Sequence, residues 1–288
     1  MDRRTRTLLA LAACCAVLFA LVVLAAYVWG PGRSADLAGL TGFVSSNDGW
    51  VRSVTVRLLQ FGDPAEVGLI TLGLVALAAL RGRPRVAVGI VALMAATSVS
   101  GQLLKIALAH PRTPPILGYV VGPEALPSGH ATAAMSLALA GILAVPRRGR
   151  VPAALLGSGL ALAVGAAVIA WGWHYPSDVL AAYLLATGWT LVIVAVLREA
   201  DRRLPARNRW ASAALARASD RVATVGLTVT AAVAVGVAGL VGIGAIAVDP
   251  GGASCFAREH TGFVAVAGAL TAAAVALPVT MATVIRRG

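Results

Sequence analysis

Residues 8–29 of the chain read LLALAACCAVLFALVVLAAYVW, and no charged side chain interrupts them. About 20 apolar residues, at about 1.5 Å of rise per residue, carry a helix across about 30 Å of hydrocarbon. The stretch also exceeds the apolar core of a secretory signal peptide, which is about 7–15 residues long. We therefore expect a retained helix that spans a membrane.

The composition of the whole chain agrees with that expectation. Of its 288 residues, 59% are hydrophobic and 12% are charged, and the mean hydropathy is +0.85. A soluble domain carries about 25% charged residues, and a disordered chain is poor in hydrophobic ones. An ordinary soluble enzyme and a disordered protein are therefore both excluded.

Seven further apolar segments are long enough, or nearly long enough, to span a bilayer: 64–80, 86–108, 130–145, 151–171, 177–197, 222–248 and 262–285. The predicted fold is all-α, a polytopic membrane helical bundle. It consists of a six-span core over residues 1–197, a basic cytoplasmic connector over 198–221, and two additional C-terminal spans within 222–288. The connector lies on the inner leaflet, attracted by anionic headgroups, or is an ordinary loop that sets the topology.

The basic residues predict the orientation of these spans. The net charge of +12 would suggest a nucleic-acid partner in a soluble protein, but here the arginines lie in the gaps between apolar segments. With the N-terminus in the cytoplasm, most of the 24 basic residues fall in cytoplasmic segments, as orientation by loop charge requires. We predict a multi-pass cell-membrane protein with both termini cytoplasmic and no nucleic-acid partner.

Polar residues that could bind an anion converge on the face predicted to point outward. Lys105 lies at the end of the third span and Arg112 just beyond it, while Ser128 and Gly129 open the fourth span. Two cations beside the N–H groups of a helix N-terminus are typical of a phosphate site. Taken singly, a snorkelling lysine, a topogenic arginine and a capped helix start explain the same residues.

Three further residues on that face could carry out chemistry. His174 precedes Asp178 by four residues before the sixth span, and His130 follows Gly129. A carboxylate at this spacing can orient one imidazole nitrogen and leave the other free as a nucleophile. Two histidines and an aspartate are also a possible metal-ligand set, but the neighbouring cations disfavour a divalent ion, so we expect no metal and no cofactor.

In combination, these residues resemble the three signatures of the type 2 phosphatidic acid phosphatase superfamily over roughly residues 60–197. The matching elements are Lys105 and Arg112 with six residues between them, Pro127-Ser128-Gly129-His130, and His174 and Asp178 with three residues between them. The chain departs from the pattern in two places. Thr113 separates Arg112 from the following proline, and Ala167-Val168 replaces the Ser-Arg of the third signature.

The resemblance implies a role for each residue. His174 attacks phosphorus to form a phosphohistidine, Asp178 orients it, and His130 protonates the leaving oxygen and then activates water. The phosphoryl oxygens are held by Lys105, Arg112 and the backbone N–H groups of Ser128 and Gly129.

The function implied is that of a membrane lipid phosphate phosphatase. It would hydrolyse a phosphomonoester or pyrophosphate of a lipid, phosphatidate-like or polyprenyl, at the outer face and without a metal. Two alternatives remain open from the sequence. One is a phosphotransferase of the same fold, and the other is a catalytically weakened membrane protein that binds lipid phosphate.

Overall fold

The computed structural model describes residues 1–47, 49–60, 62–112, 120–204, 255 and 258–286. This part of the chain contains nine α-helices and no strand, so the predicted all-α class is confirmed. The helices are α1 Arg3–Tyr27, α2 Gly30–Ser45, α3 Gly49–Gln60, α4 Pro64–Leu80, α5 Pro84–Ala107, α6 Gly129–Ala144, α7 Arg150–Ala170, α8 Pro176–Arg203 and α9 Thr261–Arg286.

Five of the described helices, α1, α5, α7, α8 and α9, are long and apolar enough to cross a membrane. Helix α6 is apolar but has 16 residues, and α4 qualifies only together with α3, from which it is bent by 61°. Their apolar segments, 64–80 and 130–145, are also the two shortest of those predicted from the sequence. The predicted span over 222–248 and most of the basic connector lie outside the described residues.

The described helices form a bundle that is apolar both inside and outside. Met135, Leu139 and Ile142 of α6 are fully buried at its centre. On the periphery, Leu69 of α4 and Ile106 of α5 expose more than two thirds of their surface. Exposed apolar faces on helices around a buried apolar core are what a lipid solvent favours.

Small residues and a few interhelical hydrogen bonds bring the central helices close together. A Cβ added to Gly157 of α7 would lie 2.6 Å from the Cβ of Ala138 on α6, so only glycine permits this approach. The buried Tyr183 hydroxyl of α8 donates to the carbonyl oxygen of Ala161 on α7 at 2.6 Å. Close packing of this kind replaces the hydrophobic driving force that is missing between helices in lipid.

Helices α5 to α8 alternate in direction, so the end of α5, the start of α6, the end of α7 and the start of α8 share one end of the bundle. We call this the site end. Helices α2 and α3 lie against it: the side-chain amide of Asn47, which follows α2, donates to the carbonyl oxygen of Ala170 at 3.0 Å. The hydroxyl of Thr55 on α3 donates to the Asn47 amide oxygen at 2.9 Å.

Candidate active site

A tight turn between α7 and α8 places His174. Gly172 has a φ of +69°, a conformation that favours glycine, and the N–H of Trp173 donates to the carbonyl oxygen of Val168 at 3.0 Å. Pro176 then begins α8, where its missing N–H costs nothing. The chain therefore reverses within a few residues and leaves the His174 side chain buried at the bundle end.

His174 and Asp178 form the pair that their spacing predicts. The Nδ1 atom of His174 lies 3.4 Å from Oδ2 of Asp178, and the same oxygen accepts from the N–H of Tyr175 at 2.9 Å. The aspartate side chain is completely buried and the imidazole nearly so. Because Nδ1 faces the carboxylate, Nε2 is the nitrogen left for a substrate.

Arg112 lies against the other side of Asp178. Its Nη2 donates to Oδ1 of Asp178, and its Nη1 lies 2.9 Å from the Ser177 hydroxyl oxygen and 3.3 Å from Oδ2 of Asp36. The guanidinium also stacks 4.2 Å from the ring centre of Tyr175. A cation shared by two buried carboxylates keeps both of them compensated. Among the described residues, these contacts occupy three of its five N–H groups.

Asp36 on α2 belongs to this cluster, and sequence reasoning missed it. Its Oδ1 accepts from the N–H of Ser177 at 2.8 Å and its Oδ2 from the Ser177 hydroxyl at 2.6 Å. Burial raises the pKa of Asp36 to about 6, opposed by the Ser177 hydrogen bonds and the Arg112 charge. No motif spacing could have indicated this contact, because Asp36 and Ser177 are 141 residues apart.

The start of α6 is tied to the start of α8. The N–H of Ser128 donates to the carbonyl oxygen of Asp178 at 3.1 Å, while its side-chain oxygen accepts from the N–H of Ala131 at 3.4 Å. The Ser128 N–H, which we expected to hold a phosphoryl oxygen, is therefore engaged within the protein. The N–H groups of Gly129 and His130 are the ones that this first turn leaves without an intrahelical partner.

Lys105 lies beside this helix start. Its Nζ is 3.8 Å from the position that a Cβ on Gly129 would occupy, and Gly129 is exposed. A glycine here keeps the backbone N–H groups open to a ligand that also reaches the ammonium. The combination of a lysine and a helix N-terminus attracts an anion.

His130 completes the group of predicted residues at the site end. Its ring centre lies 5.7 Å from that of Trp173, and it interacts electrostatically with both His174 and Lys105. The Nε2 atom is 3.8 Å from Oδ1 of Asp63, a half-exposed residue that sequence reasoning also missed. The two histidines thus have different settings, one in a buried hydrogen-bonded pair and the other near an exposed carboxylate.

The position of the altered third signature is packed rather than open. Ala167 and Val168 are both fully buried near the end of α7. The guanidinium of Arg52 on α3 lies 4.5 Å from the centre of the Trp171 ring, one residue beyond α7. Arg258 is exposed just before α9.

The described residues contain no group of three His, Cys, Asp or Glu side chains arranged to hold a metal ion. What the site end brings together is one buried His–Asp pair, a second histidine, a lysine at a helix start and an arginine between two carboxylates. This arrangement can supply a nucleophile, a proton donor and an anion site within one small volume.

Residues 67–202 match the family model of the PAP2 superfamily. The matched segment contains the residues that resemble the three signatures, from Lys105 to Asp178, and its boundaries include α5 to α8 almost completely. No curated protein and no solved structure matches the chain.

Proposed function

We propose, from the premise that residues 67–202 are a PAP2 superfamily segment with phosphatase-type chemistry on phosphate esters, that the protein is a lipid phosphate phosphatase. It would remove a phosphoryl group from a membrane lipid at the outer face through a phosphohistidine. The observation that carries this proposal is the buried His174–Asp178 pair beside the open, lysine-flanked start of α6.

In the proposed first step, Nε2 of His174 attacks phosphorus, and the bond from phosphorus to the lipid oxygen breaks. Asp178, 3.4 Å from Nδ1, stabilises the imidazolium that forms. His130 donates a proton to the departing oxygen. Lys105 and the N–H groups of Gly129 and His130 bind the phosphoryl oxygens as negative charge spreads over them.

In the proposed second step, water breaks the phosphorus–nitrogen bond. His130, now neutral, accepts a proton from that water, and the products are inorganic phosphate and free His174. Each group thus ends the cycle in the protonation state in which it began.

Arg112 has two functions in this scheme. Its contact to Asp178 fixes that carboxylate beside His174, and its contact to Asp36 anchors the guanidinium itself. Its two remaining N–H groups are free, among the described residues, to join Lys105 in binding phosphate. Arg112 is therefore a positioning residue that also touches the substrate.

A second candidate function, binding of lipid phosphate without turnover, is favoured by one observation. The third signature carries an arginine where this chain has the fully buried Val168, so one expected phosphate ligand is missing. A hydrogen bond to a charged group contributes about 1.5–3 kcal/mol. Its loss would lower the rate without removing the nucleophile, and for this reason we prefer the catalytic proposal. A phosphotransferase would use the same residues with an alcohol in place of water.

The decisive experiment is phosphate release by the full-length protein in detergent, with EDTA present, from a panel of lipid phosphates and pyrophosphates. We expect release from at least one lipid and none from the same preparation of His174→Ala. A wild-type protein that binds these lipids and releases no phosphate would favour the binding function. Transfer of phosphate to an added alcohol in preference to water would favour the phosphotransferase.

Labelling of Cys255 tests the predicted side of the membrane. This thiol is exposed, and the nearby start of α9 packs on α2, where the rings of Phe263 and Phe43 lie 5.1 Å apart. We expect a membrane-impermeant maleimide to label Cys255 in intact cells and not to label Cys255→Ser. Labelling only after permeabilisation would place the site end in the cytoplasm and contradict the proposed location.

A further inference from the structure

The end of the bundle opposite the site end contains a second concentration of polar groups. Here the start of α1, the α4–α5 turn, the end of α6, the start of α7 and the last turns of α8 and α9 enclose a cavity of about 670 Å³. Six arginines and one carboxylate line it: Arg4, Arg81, Arg83, Arg147, Arg150, Arg198 and Asp201. We call it the arginine cavity.

Arg150 is the most unusual of these residues. It is 6% exposed, and its Nε and Nη1 are buried with no hydrogen-bond partner in the described part of the chain. The Nε of Arg198 is in the same condition. A buried guanidinium that lacks partners is costly, so Arg150, with two such nitrogens beside a cavity, is the group that a bound anion would compensate.

Two carboxylates described at this end, Asp201 and Asp2, do not reach Arg150. Asp201 pairs with Arg85 at 2.6 Å, and Asp2 is 3.8 Å from Nη2 of Arg198. Neither contact involves Arg150. Neither contact therefore compensates the charge of Arg150.

Two other arginines are held in place by the protein backbone. Nη1 of Arg83 donates to the carbonyl oxygen of Leu143 at 2.9 Å, and Nη1 of Arg81 donates to that of Ala144. These carbonyls belong to the last turn of α6, where cations are favourable. The hydrogen bonds fix both guanidiniums on the cavity wall, so part of the binding geometry is already formed.

Orientation by loop charge explains why arginines are frequent at this end, but not why they converge. An arginine can set the orientation of a membrane span while it remains exposed to water, as Arg148 is. Arg150, two residues later, is buried and faces the cavity. The difference between these neighbours requires an explanation other than topology.

We propose that the arginine cavity binds a phosphate-bearing anion, at a site separate from the catalytic residues. Guanidinium groups match phosphate oxygens in geometry and charge. The cavity is of ligand size, and apolar side chains such as Leu8 and Val194 share its lining with the arginines. The phosphate belongs either to an anionic lipid headgroup in the adjacent leaflet or to a soluble phosphate.

Two probes separate these sources, both applied to the full-length protein. Phosphatidylglycerol, a phosphodiester and so not a phosphomonoester substrate, is titrated in detergent and its binding followed by native mass spectrometry against phosphatidylcholine. Inorganic phosphate is titrated against protein in phosphatidylcholine nanodiscs, and the shift in Tm is measured. The variants are Arg150→Gln and Arg198→Gln, and the matched control is Arg148→Gln, which alters an exposed arginine outside the cavity.

We expect Arg150→Gln to weaken binding of one probe by about tenfold or more, as loss of a charge-assisted hydrogen bond implies, and Arg148→Gln to leave it unchanged. An effect on phosphatidylglycerol identifies a lipid headgroup, and an effect confined to inorganic phosphate identifies a soluble anion. Because the catalytic residues are identical in all these variants, a difference between them reports on the arginine cavity.

Ligand-free Arg150→Gln should unfold at a Tm no lower than wild type, because the variant removes a buried uncompensated charge. If Arg150→Gln fails to fold, the same binding measurements are made with Arg198→Gln. The proposal is overturned if wild type binds neither probe, or if both cavity variants bind the probes as tightly as wild type. Phosphate release from lipid phosphates is measured in parallel, so failure of this proposal is distinguishable from failure of the catalytic one.

Discussion

Each end of the bundle buries an arginine side chain, but only the site end provides carboxylate partners for it among the described residues. At the site end, the side chain of Arg112 is 6% exposed and lies between Asp36, Asp178 and the Ser177 hydroxyl. At the other end, Arg150 is also 6% exposed, yet two of its nitrogens have no partner among the described residues. Burial of a charge therefore does not by itself identify a function; the partners decide it.

The difference has a physical consequence for each end. At the site end, Arg112 lies between two carboxylates, so the proposed catalytic geometry is formed before a substrate arrives, and Lys105 remains available for the phosphate of our proposal. At the arginine cavity, two nitrogens of the buried Arg150 have no hydrogen-bond partner among the described residues. In our two proposals, the first end acts on a ligand and the second is completed by one.

The largest effect is expected from His174, the proposed nucleophile at the site end. His174→Ala should reduce phosphate release more than about 1000-fold, since it removes the nitrogen that forms the phosphohistidine in our proposal. Asp178→Asn should keep a trace of activity, because the imidazole remains while its orientation is lost. Initial rates of phosphate release measure both. Near-normal release by His174→Ala would exclude the phosphohistidine, and Arg148→Gln at the opposite end is the control with unchanged turnover.

The next largest effect is a loss of folding stability, and it is compared for one ion pair at each end of the bundle. Arg112→Leu leaves two buried carboxylates without their cation, and loss of one partner of a buried pair costs about 3–5 kcal/mol. Arg85→Leu breaks an exposed pair with Asp201, for which about 0–1 kcal/mol is expected. Unfolding of each purified variant in the same detergent gives the free-energy differences. Similar losses for the two variants would show that the buried contacts of Arg112 stabilise the fold no more than an exposed ion pair does.

Because Asp36 titrates, we expect the stability difference between wild type and Asp36→Asn to depend on pH. Burial holds its pKa at about 6 in the folded protein, above the value of about 3.9 for an exposed aspartate. The folded state therefore binds this proton more tightly, and wild type loses up to about 3 kcal/mol of stability relative to Asp36→Asn as pH rises from about 4 to about 6. The Tm difference between the two proteins should be constant above pH 7. A difference that does not vary with pH would mean that Asp36 stays ionised throughout.

The smallest effect concerns the altered third signature. Val168→Arg introduces a long cation at a fully buried position, and overpacking there should cost about 1–3 kcal/mol without a gain in kcat/KM. Val151→Arg, at an exposed position near the start of the same helix, should be tolerated. Tm and kcat/KM are measured for both. If Val168→Arg is stable and raises kcat/KM about tenfold, the proposed phosphate site has room for the arginine that the superfamily signature carries.

Much of the fold and part of the site follow from local sequence. The apolar segments near 86–108, 151–171 and 177–197 form α5, α7 and α8 within a few residues, although α8 continues to Arg203. Segment length and the proline-marked helix starts determine such boundaries locally. The contact between His174 and Asp178 follows for the same reason, since it depends on a spacing of four residues at a helix start.

The partners of the buried charges were decided by tertiary structure alone. Asp36 meets Ser177 across 141 residues, the N–H of Ser128 is taken by Asp178, and Arg150 turns into a cavity while Arg148 faces outward. The physical reason is the solvent. Lipid accepts an apolar surface, so the apolar residues of these helices do not mark which face packs inward. The rotation of each helix, and with it the neighbours of each polar side chain, is set only when the helices pack against one another.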